Sequence, residues 1–393
     1  MPMNLVDIVE GKFKELFNEQ PILVRSPGRV NLIGEHTDYN LGYVLPAAVN
    51  KVICLAITPR KDECCKIFAI DMNDTHEFPV SNPRATQKRW PNYLMGVVDQ
   101  LTKAGYKFNG FNCVFGGDIP IGAGLSSSAA LEAGLAFALN SIFELGIDNL
   151  TLVKLAQKAE NEFVGVQCGI MDQYINIFGK CGNVLRIDCR SLDCDYYPFE
   201  NSNISLVLFD TCISHALAST EYNQRKIECS KGIATIKKIH PHVESLRDVS
   251  MDMLSEYRSK MDPTIFRRCK YVVEENERVL AACDALKAKN LKAFGQYMYK
   301  THDGLSNDYE VSCKELDYLV ELVKDNPHVY GSRMMGGGFG GCTINLIEND
   351  EINQISRSVV DVYSQRFRSQ PKTYVTSISS GTSVIRVNDH ATA

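Results

Sequence analysis

Pro120-Ile121-Gly122-Ala123-Gly124-Leu125-Ser126-Ser127-Ser128-Ala129 is the stretch on which the reading of this chain turns. It follows a strand-like run, Phe111 to Phe115, and opens a small-residue helix predicted over Ser126 to Phe143. Glycines let a backbone approach a ligand closely and take turns closed to other residues. The serines stand where a helix leaves its first N–H groups unpaired, at the positive end of its dipole. Together these make an anion site that suits a triphosphate. The same residues would also serve as a tight turn and a serine-capped helix. The loop is neither a Walker A motif, since no Lys follows the glycines, nor a dinucleotide fingerprint, since Ser127 takes the third glycine's place. No His-Arg-Asp catalytic loop occurs either.

A second glycine cluster, Gly336-Gly337-Gly338-Phe339-Gly340-Gly341, does match Gly-x-Gly-x-x-Gly. The residues after it, Cys342 to Ile347, read as a strand where the fingerprint needs a helix. Close approach of this backbone to a ligand or to a facing lobe is the expectation; a plain flexible loop is the alternative. Near the start, Ser26 to Asn40 is dense in groups that bind hydroxyls. Glu35, His36 and Asp38 could serve two or three sugar hydroxyls from one turn. Arg29, after Pro-Gly, suits a developing phosphoryl charge. A solvated loop with a capping Asp would look the same. Gly165 to Gln173 puts Asp172 in apolar surroundings after two glycines, where it needs a partner such as a nearby Arg. Glu160, at the end of a predicted helix, could meet a metal ion; a helix-capping Asp172 and a solvated Glu160 remain open.

The chain has 393 residues, 45% hydrophobic and 23% charged, enough to bury sizeable cores without disulfides or metals. A net charge of −5 with no long run of one sign argues against nucleic-acid or membrane-surface partners. No apolar run approaches the roughly 18 residues of a membrane span. The start, Met1-Pro2-Met3-Asn4, lacks a leader pattern, so a cytoplasmic protein with reduced cysteines is expected. No Cys-x-x-Cys pair or zinc-ligand spacing occurs, and Cys64-Cys65 read as strand packing.

Periodicity predicts helices over Leu5–Phe17, Tyr93–Ala104, Leu152–Phe163, Glu221–Ile239, Ile265–Leu286, Leu291–His302, Lys314–Lys324 and Ile352–Phe367. Strands are predicted over Ile22–Val24, before a Ser-Pro-Gly turn, and over Val49–Thr58, Lys66–Asp71, Asn183–Asp188, Ser205–Phe209, Thr343–Ile347 and Thr373–Ser377. Gly331 to Gly341 is expected to be a loop. A boundary is placed near residue 200, where the β-rich half gives way to helices.

Taken together, these segments resemble the galactokinases, within the wider family of small-molecule kinases that includes homoserine, mevalonate and phosphomevalonate kinases. Gly28-Arg29-Val30-Asn31-Leu32-Ile33-Gly34-Glu35-His36-Thr37-Asp38-Tyr39 resembles the galactokinase signature. Gly122 to Ala129 is similar to the family's phosphate motif, and Ser332 to Cys342 to its third motif. The resemblance implies ATP and Mg²⁺ as cofactors, and galactose phosphorylated at its anomeric hydroxyl. Arg29 would stabilise the transferring charge, and Asp172 would take the hydroxyl proton. Glu35, His36, Asp38, Gly169 and Tyr222 would join them around the sugar. Gly122, Gly124, Ser126 and Ser127 would cradle phosphates, Ser128 and Glu160 would meet Mg²⁺, and Trp90 would lie near adenine. The implied fold is α+β and two-lobed: residues 1–200 a ribosomal-protein-like mixed α/β lobe, residues 201–393 a ferredoxin-like lobe, with the site between them in a monomer. An N-acetylgalactosamine kinase or a non-catalytic sugar and ATP sensor are the alternatives. Cys168 to Gln173 favours galactose, and the intact serine loop, Arg29 and Asp172 favour turnover.

Overall fold

The computed structural model describes residues 4–120, 122–199, 203–214 and 218–385. The chain begins with α1 (Leu5–Phe17), capped by the Asn4 side chain, and β1 (Ile22–Asn31). Then come β2 (Tyr43–Val44), β3 (Pro46–Pro59), β4 (Cys64–Ala69), β5 (Asp74–Pro79), α2 (Arg89–Lys103) and β6 (Phe111–Gly117). Helices α3 (Ser127–Ile142), α4 (Asn149–Lys158) and α5 (Met171–Phe178) precede β7 (Asn183–Asp188) and β8 (Cys194–Pro198). The second half runs β9 (Ile204–Ser214), α6 (Ala218–Lys237), α7 (Met251–Ser255), α8 (Pro263–Lys287), α9 (Leu291–Asn307) and α10 (Lys314–Lys324). It ends with β10 (Val329–Met334), β11 (Gly340–Glu348), α11 (Ile352–Phe367), β12 (Lys372–Thr376) and β13 (Ser383–Val384).

Two lobes result, as expected of the α+β fold. The first holds a six-stranded sheet, β13-β1-β3-β6-β4-β5, and a small sheet, β2-β7-β8. The second holds an antiparallel sheet, β10-β11-β9-β12. On one face of the large sheet, Val9 and Phe13 of α1 bury against Cys54, Ala56 and Val114. On the other lies α3, whose small residues allow near contact: a Cβ on Gly134 would fall 2.8 Å from that of Ser26. That closeness fixes the middle of α3 over the middle of β1. No helix among the described residues is long and apolar enough to cross a membrane.

Three expectations need correction. The strand at Ile22 does not turn at Ser26-Pro27-Gly28; β1 runs on to Asn31, and a register shift between Pro27 and Arg29 accommodates the proline's missing donor. Gly331 to Gly341 is not one loop, because β10 reaches Met334 and β11 starts at Gly340. The helix expected over Leu152–Phe163 keeps α geometry only to Lys158 and widens to a π-turn over Ala159–Val164. Widened turns of this kind recur at functional sites. Strands β2, β5, β8, β10 and β13 and helices α5 and α7 were not expected.

Candidate active site

Three cavities adjoin one another, two between the lobes and the third within the first lobe. The first, about 360 Å³, is walled by Glu35, His36 and Asp38, by Gly169 and Asp172, and by Tyr222 of α6. The second, about 340 Å³, lies between Gly122–Ser128 and Gly336–Gly341. The third, about 320 Å³, is lined by Trp90, Tyr93, Phe115 and Leu131. Arg29, Gly336 and Gly337 border both the first and the second; Ser127 and Ser128 border both the second and the third.

Arg29, on β1, is 5% exposed and points at the start of α5. Its Nε donates to Asp172 Oδ1 at 2.7 Å and its Nη2 to Oδ2 at 2.9 Å, a bidentate fork. Its Nη1 donates to the Gly124 carbonyl. Burial works against the guanidinium charge, but Asp172, Glu35 and Asp38 outweigh it and raise its pKa. Asp172 is held by the apolar anchors Met171, Tyr174 and Ile175 of α5. It also accepts the Ser126 hydroxyl. Ser126 therefore faces the carboxylate. It is left-handed (φ 56°) and makes no side-chain cap, so the serine-capped reading of α3 falls and the helix's first N–H groups open onto the second cavity.

The glycine-rich segment before β11 meets that loop backbone to backbone. A Cβ on Gly336 would lie 3.6 Å from the Gly124 Cα, and one on Gly341 3.4 Å from the Gly122 carbonyl oxygen. Gly338 is the strictest position: with φ +81°, its Cβ would fall 2.1 Å from the Val311 carbonyl oxygen. Glu35 ties this segment to the first lobe. Its Oε1 accepts from Arg333 Nη2 at 3.0 Å and from the Gly336 N–H at 2.8 Å. Arg333, fully buried, also donates to the Leu32 carbonyl at 2.7 Å.

On the turn that carries Glu35, His36 and Asp38, burial lowers the His36 pKa to about 4, so the ring is neutral near pH 7. Burial and the nearby Asp172 charge push Asp38 up to about 7. Gly169 is required here, because its Cβ would sit 1.9 Å from Asp38 Oδ2. Tyr222 packs its ring 5.2 Å from that of His36. Glu160, on the π-turn, accepts from Ser128 Oγ at 3.0 Å and from Gln173 Nε2 at 2.7 Å. Burial and the Asp172 charge raise its pKa. Fully buried Glu132 stands 3.3 Å from the same Gln173 nitrogen and is raised well above the usual range, first by burial and then by Glu160. Trp90 lines the third cavity, with its indole N–H donated to Asp74 at 3.1 Å.

Every residue singled out from sequence thus lines one of the three cavities. The sequence reading assigned no role to Gln173 and Glu132, which lie under Glu160, or to Arg333. An amide beside Asp172 and an acid inside an alanine-rich helix were the available signals.

Family models match the chain in order: the galactokinase galactose-binding signature at residues 11–59, the GHMP kinase N-terminal domain at 92–180 and the GHMP kinase C-terminal domain at 282–365. A galactokinase of Roseiflexus sp. is 39% identical over 97% of each chain. That of Thermotoga maritima is 38% identical over 88% of this chain and 94% of its own. The crystal structure of Lactococcus lactis galactokinase complexed with galactose superposes with a TM-score of 0.93 at 33% identity, covering 97% of this chain and all of that one. Methanococcus jannaschii mevalonate kinase shares the fold at a TM-score of 0.63 and 17% identity. On these matches the chain belongs to the galactokinase family and is an ATP-dependent sugar kinase of the GHMP type.

Proposed function

We propose that the protein transfers the γ-phosphoryl group of ATP to the anomeric hydroxyl of galactose, giving galactose 1-phosphate and ADP. One observation carries this reading: the Arg29–Asp172 fork stands where the hydroxyl-binding cavity opens into the glycine- and serine-lined one. Sugar lies in the first cavity against Glu35, His36, Asp38, Gly169 and Tyr222. The triphosphate lies in the second, on Gly122, Gly124, Ser127 and the N-terminus of α3, with Ser126 at its border. Adenine lies in the third, beside Trp90.

Asp172 takes the proton of the anomeric hydroxyl as the new O–P bond forms and the bond from Pγ to ADP breaks. Ser126 and Arg29 hold the carboxylate in place, and Arg29 stabilises charge on the phosphoryl group in flight. Phosphoryl transfer asks mainly for positioning and charge stabilisation, so this small set suffices. Ser128 and Glu160 fit a Mg²⁺ ion arriving with the nucleotide, which would neutralise charge on the phosphates. Magnesium takes one or two carboxylates plus phosphate oxygens rather than a protein cage. The raised pKa of Glu160 is what a cation beside it would relieve. Among the described residues no cluster of three His, Cys, Asp or Glu could hold a metal without the nucleotide.

Residues 1–200, joined by the returning strand β13, and the rest of residues 201–393 act as the two lobes of a cytoplasmic monomer; the boundary near residue 200 is corrected to that extent by the pairing of β13 with β1. All fourteen cysteines are free, which suits a reducing compartment. An ADP-release assay comparing galactose with N-acetylgalactosamine tests the reading. Turnover with galactose supports it. Preference for the acetamido sugar, or binding of both ligands without ADP release, overturns it.

A further inference from the structure

His36 has a neutral ring, and a neutral imidazole can meet a ligand in two ways. With the proton on Nε2 it donates from that atom; with the proton on Nδ1, Nε2 accepts. The surroundings of Nδ1 decide between them. It lies 2.7 Å from the Tyr39 hydroxyl. That hydroxyl lies 2.9 Å from the hydroxyl of fully buried Tyr309, which in turn lies 3.3 Å from Cys229 Sγ. Nε2 is buried and has no hydrogen-bond partner among the described residues.

Run without a break, the chain of four groups has two directions. In one, Nδ1–H donates to Tyr39, Tyr39 to Tyr309, and Tyr309 to the Cys229 sulfur. That direction ends a phenol on a thiol, a weak acceptor, and leaves the imidazole's strong acceptor site facing no donor. In the other, Cys229 donates to Tyr309, Tyr309 to Tyr39, and Tyr39 to Nδ1, so each good acceptor meets a donor. The first contact, 2.7 Å, is at the usual O–H donor length and short for an N–H donor.

We propose that Tyr39 is a positioning residue that fixes His36 as the Nε2–H tautomer, so that His36 meets the sugar only as a hydrogen-bond donor. This rests on the assignment of His36 to the sugar cavity. It implies that the sugar atom opposite Nε2 is read through its lone pairs, while Glu35 and Asp38 supply the acceptors.

The test is ¹⁵N NMR of the full-length protein carrying labelled histidine, near pH 7. The His36 signals are assigned among the eight histidines by their loss in His36→Gln. The wild-type spectrum should show a bare Nδ1 and a protonated Nε2; a protonated Nδ1 overturns the proposal without any variant having to fold. In Tyr39→Phe both tautomers should appear. The KM for galactose should rise about 2- to 10-fold, the loss of one neutral hydrogen bond, with the KM for ATP unchanged. A Tyr39→Phe protein that keeps a single Nε2–H tautomer, or mixes tautomers with no change in galactose KM, overturns it as well. If the wild-type tautomer is as stated but galactose leaves the His36 signals unmoved, it is the sugar-cavity reading that falls.

Discussion

Replacing Gly169 by alanine is a small change with a large expected effect on one substrate only. The added methyl would lie 1.9 Å from Asp38 Oδ2 and 2.2 Å from its Cγ, whereas ordinary contact begins near 3.4 Å. Asp38 or the Gly169 backbone must therefore yield by about 1.5 Å, the difference of those two distances. Asp38 is half-buried on a short turn, so its carboxylate can swing, but only by leaving its place in the sugar cavity. Displacements of about 1 Å at a reacting centre cost on the order of 10²-fold, and kcat/KM for galactose should fall by at least that much. Gly169 lines neither the phosphate cavity nor the Trp90 cavity, so ATP binding should be unchanged. Steady-state kinetics with each substrate varied in turn gives both numbers. A double-mutant cycle with Asp38→Ala then asks whether the harm passes through Asp38: the two changes together should cost little more than the worse of them alone. A Gly169→Ala enzyme within about 3-fold of wild type, or a cycle in which the costs add, refutes the placing of Asp38 against the sugar.

Asp172→Asn should lose at least about 10²–10⁴-fold in kcat, the usual contribution of a positioned base, while equilibrium dialysis still finds ATP bound; near-normal turnover removes the carboxylate from that role. Glu160→Gln and Ser128→Ala should each raise the Mg²⁺ concentration needed for half-maximal rate, and an unchanged titration curve in both would place the ion elsewhere. Stability should carry two opposed pH slopes. Asp38, raised to about 7, keeps a proton that the unfolded chain loses near 4, so it lowers stability as pH climbs from about 4 to 7. His36, lowered to about 4, refuses a proton that the unfolded chain binds below 6.5, so it raises stability from about 4 to 6.5. Urea unfolding of Asp38→Asn should therefore gain on wild type steadily across that range; a pH-independent difference refutes the assignment.

How much of this was legible beforehand follows from how local each signal is. Helices such as α10 and α11 have their full pattern within 11 and 16 consecutive residues, and their bounds came out as read. The phosphate loop was legible for the same reason, since glycines, serines and a helix start are consecutive. The continuation of β1 through Ser-Pro-Gly was hidden because proline normally ends a paired strand, and only the bulge opposite β3 absorbs it. The pairing of β13 with β1 joins residues about 360 positions apart, with Val24 opposite Val384, and two residues of strand leave no periodicity to read. Glu132 escaped for a related cause. An acid in an alanine-rich helix reads as a solvated face until the fold buries it beside Glu160.

The placement of these groups also bears on how far catalysis depends on movement of the lobes. Arg29, Ser126 and Asp172 come from β1, the start of α3 and the start of α5, all packed on one sheet system. Their convergence needs no closure. The facing wall, Gly336 to Gly341, is different: it hangs from β10 and β11 in the other sheet and meets the Gly122–Ser128 loop largely through backbone and glycine contacts. It is tied to the first lobe by Arg333, which donates to the Asn31 and Leu32 carbonyls and to Glu35, and by the Gly336 N–H on the same Glu35, a residue of the turn that carries His36 and Asp38. Both bonds to Glu35 fall on one carboxylate oxygen, Oε1. One buried side chain, Glu35, thereby links the turn that carries His36 and Asp38 to the Gly336–Gly341 wall, while the Arg29–Asp172 fork is built on the opposite side without it.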